Sequence, residues 1–145
     1  MNVLFVCTQN VGRSQMAAAM YNTLAITSHA DAAGTKVDDE DQTIGERAKH
    51  NAGAWNVLSV MNEIGVDLWH RKRRGISKAM LGKYDQIVVM AEPSTIPEYL
   101  HNHPNAVYWD IPDPRFKGID ATRDTRDELK RKIVELLSTQ RAMAA

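Results

Sequence analysis

A thiol, a guanidinium and a hydroxyl lie close together near the start of the chain: Cys7, Arg13 and Ser14, in the stretch VLFVCTQNVGRSQMAAAM at positions 3–20. Cys7 is the only cysteine among 145 residues. It therefore has no partner for an internal disulfide or a cysteine-rich metal cage, and a reducing compartment keeps it a free thiol. Backbone N–H groups of a short loop entering a helix form a concave array of donors. The first helical N–H groups have no intrahelical acceptor, and the helix dipole adds positive charge there. A tetrahedral oxyanion suits such a cradle. Arg13 offers a planar fork for two of its oxygens, and Gly12 permits a backbone conformation that a side chain resists. The same field favours thiolate, lowering a cysteine pKa from about 8.5 to roughly 4–7. Thr8, Gln9, Asn10, Val11, Gly12, Arg13 and Ser14 are expected to form the phosphate-binding loop, with Ser14 hydrogen-bonding the sulfur and Asn10 holding the loop open. No Gly-x-x-x-x-Gly-Lys-Ser/Thr pattern occurs, which separates this loop from a nucleotide P-loop. An isolated cysteine is more often a small buried apolar group; the joint presence of strand, loop, glycine, arginine and serine favours chemistry.

Phosphoryl transfer to a thiolate leaves an alkoxide or phenoxide that needs a proton, and hydrolysis of the thiophosphate needs a base to take one from water. One carboxyl does both. WDIPDPRF at 109–116 supplies Asp110 and Asp113. Asp113 is favoured because Pro114 restricts it to extended backbone and helps aim its carboxylate; Asp110 is the alternative. Phe116 is the candidate wall for an aromatic leaving group, whereas Trp55 and Trp109 read more simply as core aromatics.

These groups need a scaffold. Residues 1–6 form a short apolar run, expected to be a buried strand with Cys7 at its carboxyl end. Met16, Ala19, Met20 and Leu24 recur at helical spacing between Arg13 and about Ile26. Residues 30–33 suggest a second strand, followed over 34–50 by a polar, acidic stretch expected to be a long exposed connection. Ala54, Val57, Leu58, Met61 and Ile64 predict a helix over 51–64, stopped by Gly65. YDQIVVM at 84–90 and NAVYW at 105–109 predict the third and fourth strands, with a short helical or irregular piece between Pro93 and Pro97. Leu129, Ile133, Leu136 and Leu137 place a closing helix over 122–141. This alternation implies one α/β domain over 1–145: a Rossmann-like, three-layer arrangement of parallel strands with helices on both faces, whose ligand crevice lies beyond the strand carboxyl ends.

Composition narrows the function. Eighteen basic and eighteen acidic side chains cancel, so no global field recruits nucleic acid or anionic membrane, and any anion preference is local. No apolar run approaches the roughly 20 residues of a membrane span, and the first residues lack the pattern of a secretion signal, so a cytoplasmic location is expected. No cofactor and no metal are expected.

The Cys-x5-Arg-Ser loop continuing as QMAAAM resembles the low-molecular-weight protein tyrosine phosphatase superfamily, which includes the thioredoxin- and mycothiol-type arsenate reductases. The resemblance extends to AAGT at 32–35, IGVDLWHRKR at 64–73, YDQIVVM at 84–90 and Asp113-Pro114. It implies a four-stranded parallel sheet, a phosphocysteine intermediate on Cys7, an acid in the Asp-Pro unit, and His70 reaching Asn10 with the basic side chains beside it guiding anionic substrates, although read from the residues alone most of those charges form a solvated face. Two features depart from the tyrosine phosphatases. Arg115 and Phe116 stand where two tyrosines commonly follow Asp-Pro, and Gly12 stands where many members carry a second loop cysteine. RSQMA and WDIPDP resemble the arsenate reductase branch, yet the two further cysteines of the thioredoxin-type relay are absent. The expected activity is a cysteine phosphatase acting on phosphomonoesters, protein phosphotyrosine among them. An arsenate reductase using an external thiol such as mycothiol or glutathione is the second reading, and a non-catalytic phosphate or phosphopeptide binder the third.

Overall fold

The computed structural model describes residues 1–144. Its strands are β1 (Asn2–Cys7), β2 (His29–Gly34), β3 (Gln86–Val89) and β4 (Ala106–Tyr108). They form one parallel sheet in the order β2-β1-β3-β4. Between them run helices α1 (Arg13–Leu24), α2 (Ile44–Ala48), α3 (Ala52–Asn62) and α4 (Glu98–His101), and α5 (Ile119–Ala144) closes the chain.

Alternation along β1 explains the layers. Val3 and Phe5 face a core built with Met16, Met20 and Tyr21 of α1, Leu58 and Met61 of α3 and Leu129 and Ile133 of α5. Leu4 and Val6 face the opposite core with Ile87, Val89, Leu81 and Leu100. A central strand covered on both sides must be apolar throughout, and residues 3–7 are all buried. Cys7 ends that strand, and α1 begins at Arg13, so the loop between them lies beyond the strand carboxyl ends.

The polar stretch 34–50 departs from the expected exposed connection. It contains α2, whose Thr43 and Glu46 form a reciprocal capping box: the Glu46 N–H donates to Thr43 Oγ1 at 3.0 Å and the Thr43 N–H to Glu46 Oε1 at 3.3 Å. Ile44 of this helix is fully buried. Five residues are too few for a helical period to stand out among charges; the Thr-x-x-Glu box was the available signal.

Glu63 joins α3 to α5. Its Oε2 accepts from Arg123 Nη2 at 2.7 Å and its Oε1 from Arg126 Nη1 at 2.7 Å. These hydrogen bonds, Arg123 foremost, pull its carboxyl down from an ordinary 4.5 to about 2. A carboxylate with a lowered folded-state pKa stabilises fully above its unfolded value and ceases to do so as pH falls through the folded value. Melting temperature should therefore drop between pH 5 and 2 more steeply in the natural protein than in Glu63→Gln; parallel profiles would show that the pair contributes nothing.

Candidate active site

In the loop, the carbonyls of Thr8, Gln9 and Gly12 are tied into the fold. Thr8 O accepts from the Lys36 N–H at 2.8 Å and Gly12 O from the Met16 N–H at 2.9 Å. Gln9 O is held by Arg73 Nε and Nη2 at 3.2 and 3.0 Å. Among the described residues, no backbone N–H from Thr8 to Gln15 has a protein acceptor. The loop and the first turn of α1 thus present a run of free donors, as an anion nest requires.

Cys7 Sγ lies 3.0 Å from Ser14 Oγ. Asn10 Nδ2 donates to that same oxygen at 2.8 Å, which leaves the Ser14 O–H free to donate to sulfur. Asn10 carries the positive φ of the loop, 57°, a conformation asparagine tolerates better than most side chains. Gly12 has a φ of −106°, so the left-handed position of the loop is not its own, and an added Cβ would meet only Val57 Cγ2 at an ordinary 3.4 Å.

Arg13 is buried, 5% exposed. Its Nη1 donates to the carbonyls of Met90 at 2.6 Å and Ile111 at 3.0 Å. Its Nη2 sits 3.6 Å from Glu92 Oε1 and 3.7 Å from Asp113 Oδ2. One nitrogen is a structural anchor; the other faces a recess of about 90 Å³ that Cys7, Thr8, Gly12, Arg13, Glu92 and Asp113 help to line. The structure thus brings Asp113 rather than Asp110 to this recess, while the Arg115 N–H fixes the second oxygen, Oδ1, at 2.9 Å.

Two expected residues lie elsewhere. His70 is exposed and makes no hydrogen bond to Asn10. Asn10 Oδ1 is already held by the Arg74 backbone N–H at 2.7 Å and Gln15 Nε2 at 3.0 Å, so the histidine has nothing to accept it. Phe116 has a φ of 67° and is 90% exposed; it stacks under the Arg115 guanidinium at 4.9 Å instead of lining the recess. Trp109 packs on Phe5.

Four residues were missed. Arg73, expected on a solvated basic face, is fully buried; besides Gln9 O it binds Gln42 Oε1 at 2.8 Å and Asp38 Oδ1 at 2.8 Å. Those bonds hold the Asp38 carboxyl below its ordinary range. Arg47 of α2 lines the recess and reaches Gln9 Oε1 at 3.3 Å. Glu92 lies three residues past the end of β3 and Gln15 braces Asn10. Only Glu92, just past a strand carboxyl end, stood where the topology places ligand-facing groups.

The family model described as low molecular weight phosphotyrosine protein phosphatase matches residues 2–144. A Halobacterium salinarum protein provisionally named an arsenate reductase is 31% identical over 135 residues, spanning 91% of this chain and 87% of that one. In fold, the chain is similar to the YwlE arginine phosphatase of Geobacillus stearothermophilus, with a TM-score of 0.78 at 23% identity over 98% and 94% of the two chains. It is also similar to an arsenate reductase solved in a phosphate-binding state, with a TM-score of 0.75 at 20% identity over 95% and 97%.

Proposed function

This chain belongs to the low molecular weight phosphotyrosine protein phosphatase family, and on that premise we propose that Cys7, Arg13 and Asp113 carry out phosphomonoester hydrolysis through a phosphocysteine. The observation that carries the reading is the array of acceptor-free N–H groups around Cys7, with Arg13 Nη2 and Asp113 Oδ2 3.7 Å apart at the same recess.

The phosphate's non-bridging oxygens take the free N–H groups and Arg13 Nη2, which releases Asp113 from its ion pair to take up a proton from solvent. Cys7 Sγ attacks phosphorus as the ester P–O bond breaks, and protonated Asp113 gives its proton to the leaving oxygen. The resulting carboxylate then takes a proton from water, whose oxygen attacks phosphorus and expels the Cys7 thiolate. Donors fixed by the fold stabilise the trigonal bipyramid without reorganisation. Ser14 O–H stabilises the thiolate at both ends of the cycle. A reducing cytoplasm, in keeping with the free thiol, is the proposed location, and no helix among the described residues is long and apolar enough to cross a membrane.

Arg115, Pro114, Asn51, Gly53 and Val57 line the recess, with no aromatic side chain among them. This supports phosphoesters with small or polar leaving groups over flat rings held between aromatic walls. The name of the Halobacterium relative favours a second reading, in which Cys7 Sγ displaces water from arsenate, one external low-molecular-weight thiol attacks the Cys7 sulfur so that arsenite leaves with the S–As electron pair and a mixed disulfide remains, and a second such thiol frees Cys7 as the external disulfide forms.

Turnover of p-nitrophenyl phosphate and of an alkyl phosphate, assayed beside arsenate reduction with added glutathione or mycothiol, tests the reading. Phosphate release without thiol is expected. Asp113→Asn should slow the alkyl ester about 10²–10⁴-fold and p-nitrophenyl phosphate far less, because nitrophenolate leaves without a proton. Equal slowing of both would remove Asp113 as the acid; arsenite release with no phosphoester turnover would favour the second reading.

A further inference from the structure

On the opposite side of α1's start a cleft of about 420 Å³ runs between β2 and residues 70–74, with Gln15, Met80 and Tyr84 also in its lining. β2 is an edge strand. Its odd residues donate to β1, as the His29 N–H to Met1 O and, beyond the strand, the Thr35 N–H to Cys7 O show; its even residues face outward. Ala30 is sealed at both backbone groups by the Asn22 side chain, at 2.8 and 2.9 Å. Gly34 is sealed by Arg74 O and the Ile76 N–H at 2.8 and 2.9 Å. Ala32, between them and inside the cleft, has no partner among the described residues for either its N–H or its C=O.

The cleft is also unbalanced in charge. Arg71, Lys72 and Arg74 line it, and none of their side chains forms an ion pair or hydrogen bond among the described residues. The acid lining it, Asp31, is committed: Tyr84 Oη donates to Oδ2 at 2.7 Å and His29 Nε2 lies 3.0 Å from Oδ1. An unpaired strand-edge amide is a template for another backbone, and three cations against the single carboxylate of Asp31 select acidic side chains flanking it.

We propose that this cleft docks a short, extended, acidic segment of a partner protein, one peptide unit pairing with Ala32 N–H and C=O while neighbouring carboxylates meet Arg71, Lys72 and Arg74. Fluorescence anisotropy with fluorescein-labelled Asp-Glu-Val-Glu-Asp tests it. The readout needs no turnover, so it succeeds or fails independently of the phosphatase reading.

Saturable binding is expected, weakened at least about ten-fold in Arg71→Glu/Lys72→Glu and several-fold when the central peptide amide is N-methylated. Hydrolysis of p-nitrophenyl phosphate by the double variant should be unchanged, showing that it is folded. Absence of binding below about 1 mM peptide overturns the inference. So does equal affinity for a Lys-substituted peptide, undiminished binding of the N-methylated one, or tighter binding of oligouridylate, which would make the cleft a general polyanion surface.

Discussion

Cys7→Ser should cut phosphoester turnover by at least about 10⁴-fold, the scale of losing a nucleophile from a site whose other parts remain. Serine keeps the shape of the position but replaces a polarisable thiolate by a hydroxyl that stays protonated at neutral pH. Among the described residues, the side chain hydrogen-bonded to the sulfur is Ser14 Oγ, whose O–H is left to donate and so does not take a proton from serine. The oxyanion cradle is untouched, since the free N–H groups belong to Thr8–Gln15. Orthovanadate should therefore still bind within about ten-fold of the natural affinity, measured by calorimetry. Residual turnover above about 1% of the natural rate would mean that Cys7 is not the attacking atom.

Arg13→Lys should lower kcat about 10²–10³-fold, comparable with losing a preorganised oxyanion donor. Charge alone is not what the position supplies. Nη1 is spent on the carbonyls of Met90 and Ile111, and Nη2 faces the recess between Glu92 and Asp113. An ammonium has a single nitrogen and cannot be anchored and fork-shaped together. One or both carbonyls would also lose a buried partner, at about 1–3 kcal/mol each, so a lower melting temperature is expected. Kinetics recorded well below that melting point separate the two effects. A variant with normal kcat but raised KM would show that Arg13 acts only in ground-state binding.

The loop and its order were legible because each part is local: an apolar run for a doubly covered strand, an alanine-rich helix, and Cys7, Arg13 and Ser14 on the seam between them. Asp113 was legible for the same reason, lying just after a strand and before Pro114. What stayed hidden depends on contacts across the chain. Arg73 reads as one cation in a basic run, and nothing local reveals that it is buried against Gln9 O, 64 residues away. His70 was expected at Asn10 through resemblance alone, yet a backbone amide from Arg74 and the Gln15 side chain occupy that carbonyl oxygen. Asn10 illustrates a different limit: its residue type alone did not announce that the loop's left-handed turn falls there.

Because Nη1 of Arg13 reaches carbonyls that follow β3 and β4 in the chain, the arginine has its working posture only after residues some 77 and 98 positions later have docked. Under the proposed mechanism, a nascent or half-assembled polypeptide is catalytically silent even with its N-terminal loop already synthesised. Hydrolytic power is switched on by completion of the sheet, so misfolded copies would not attack phosphoesters indiscriminately.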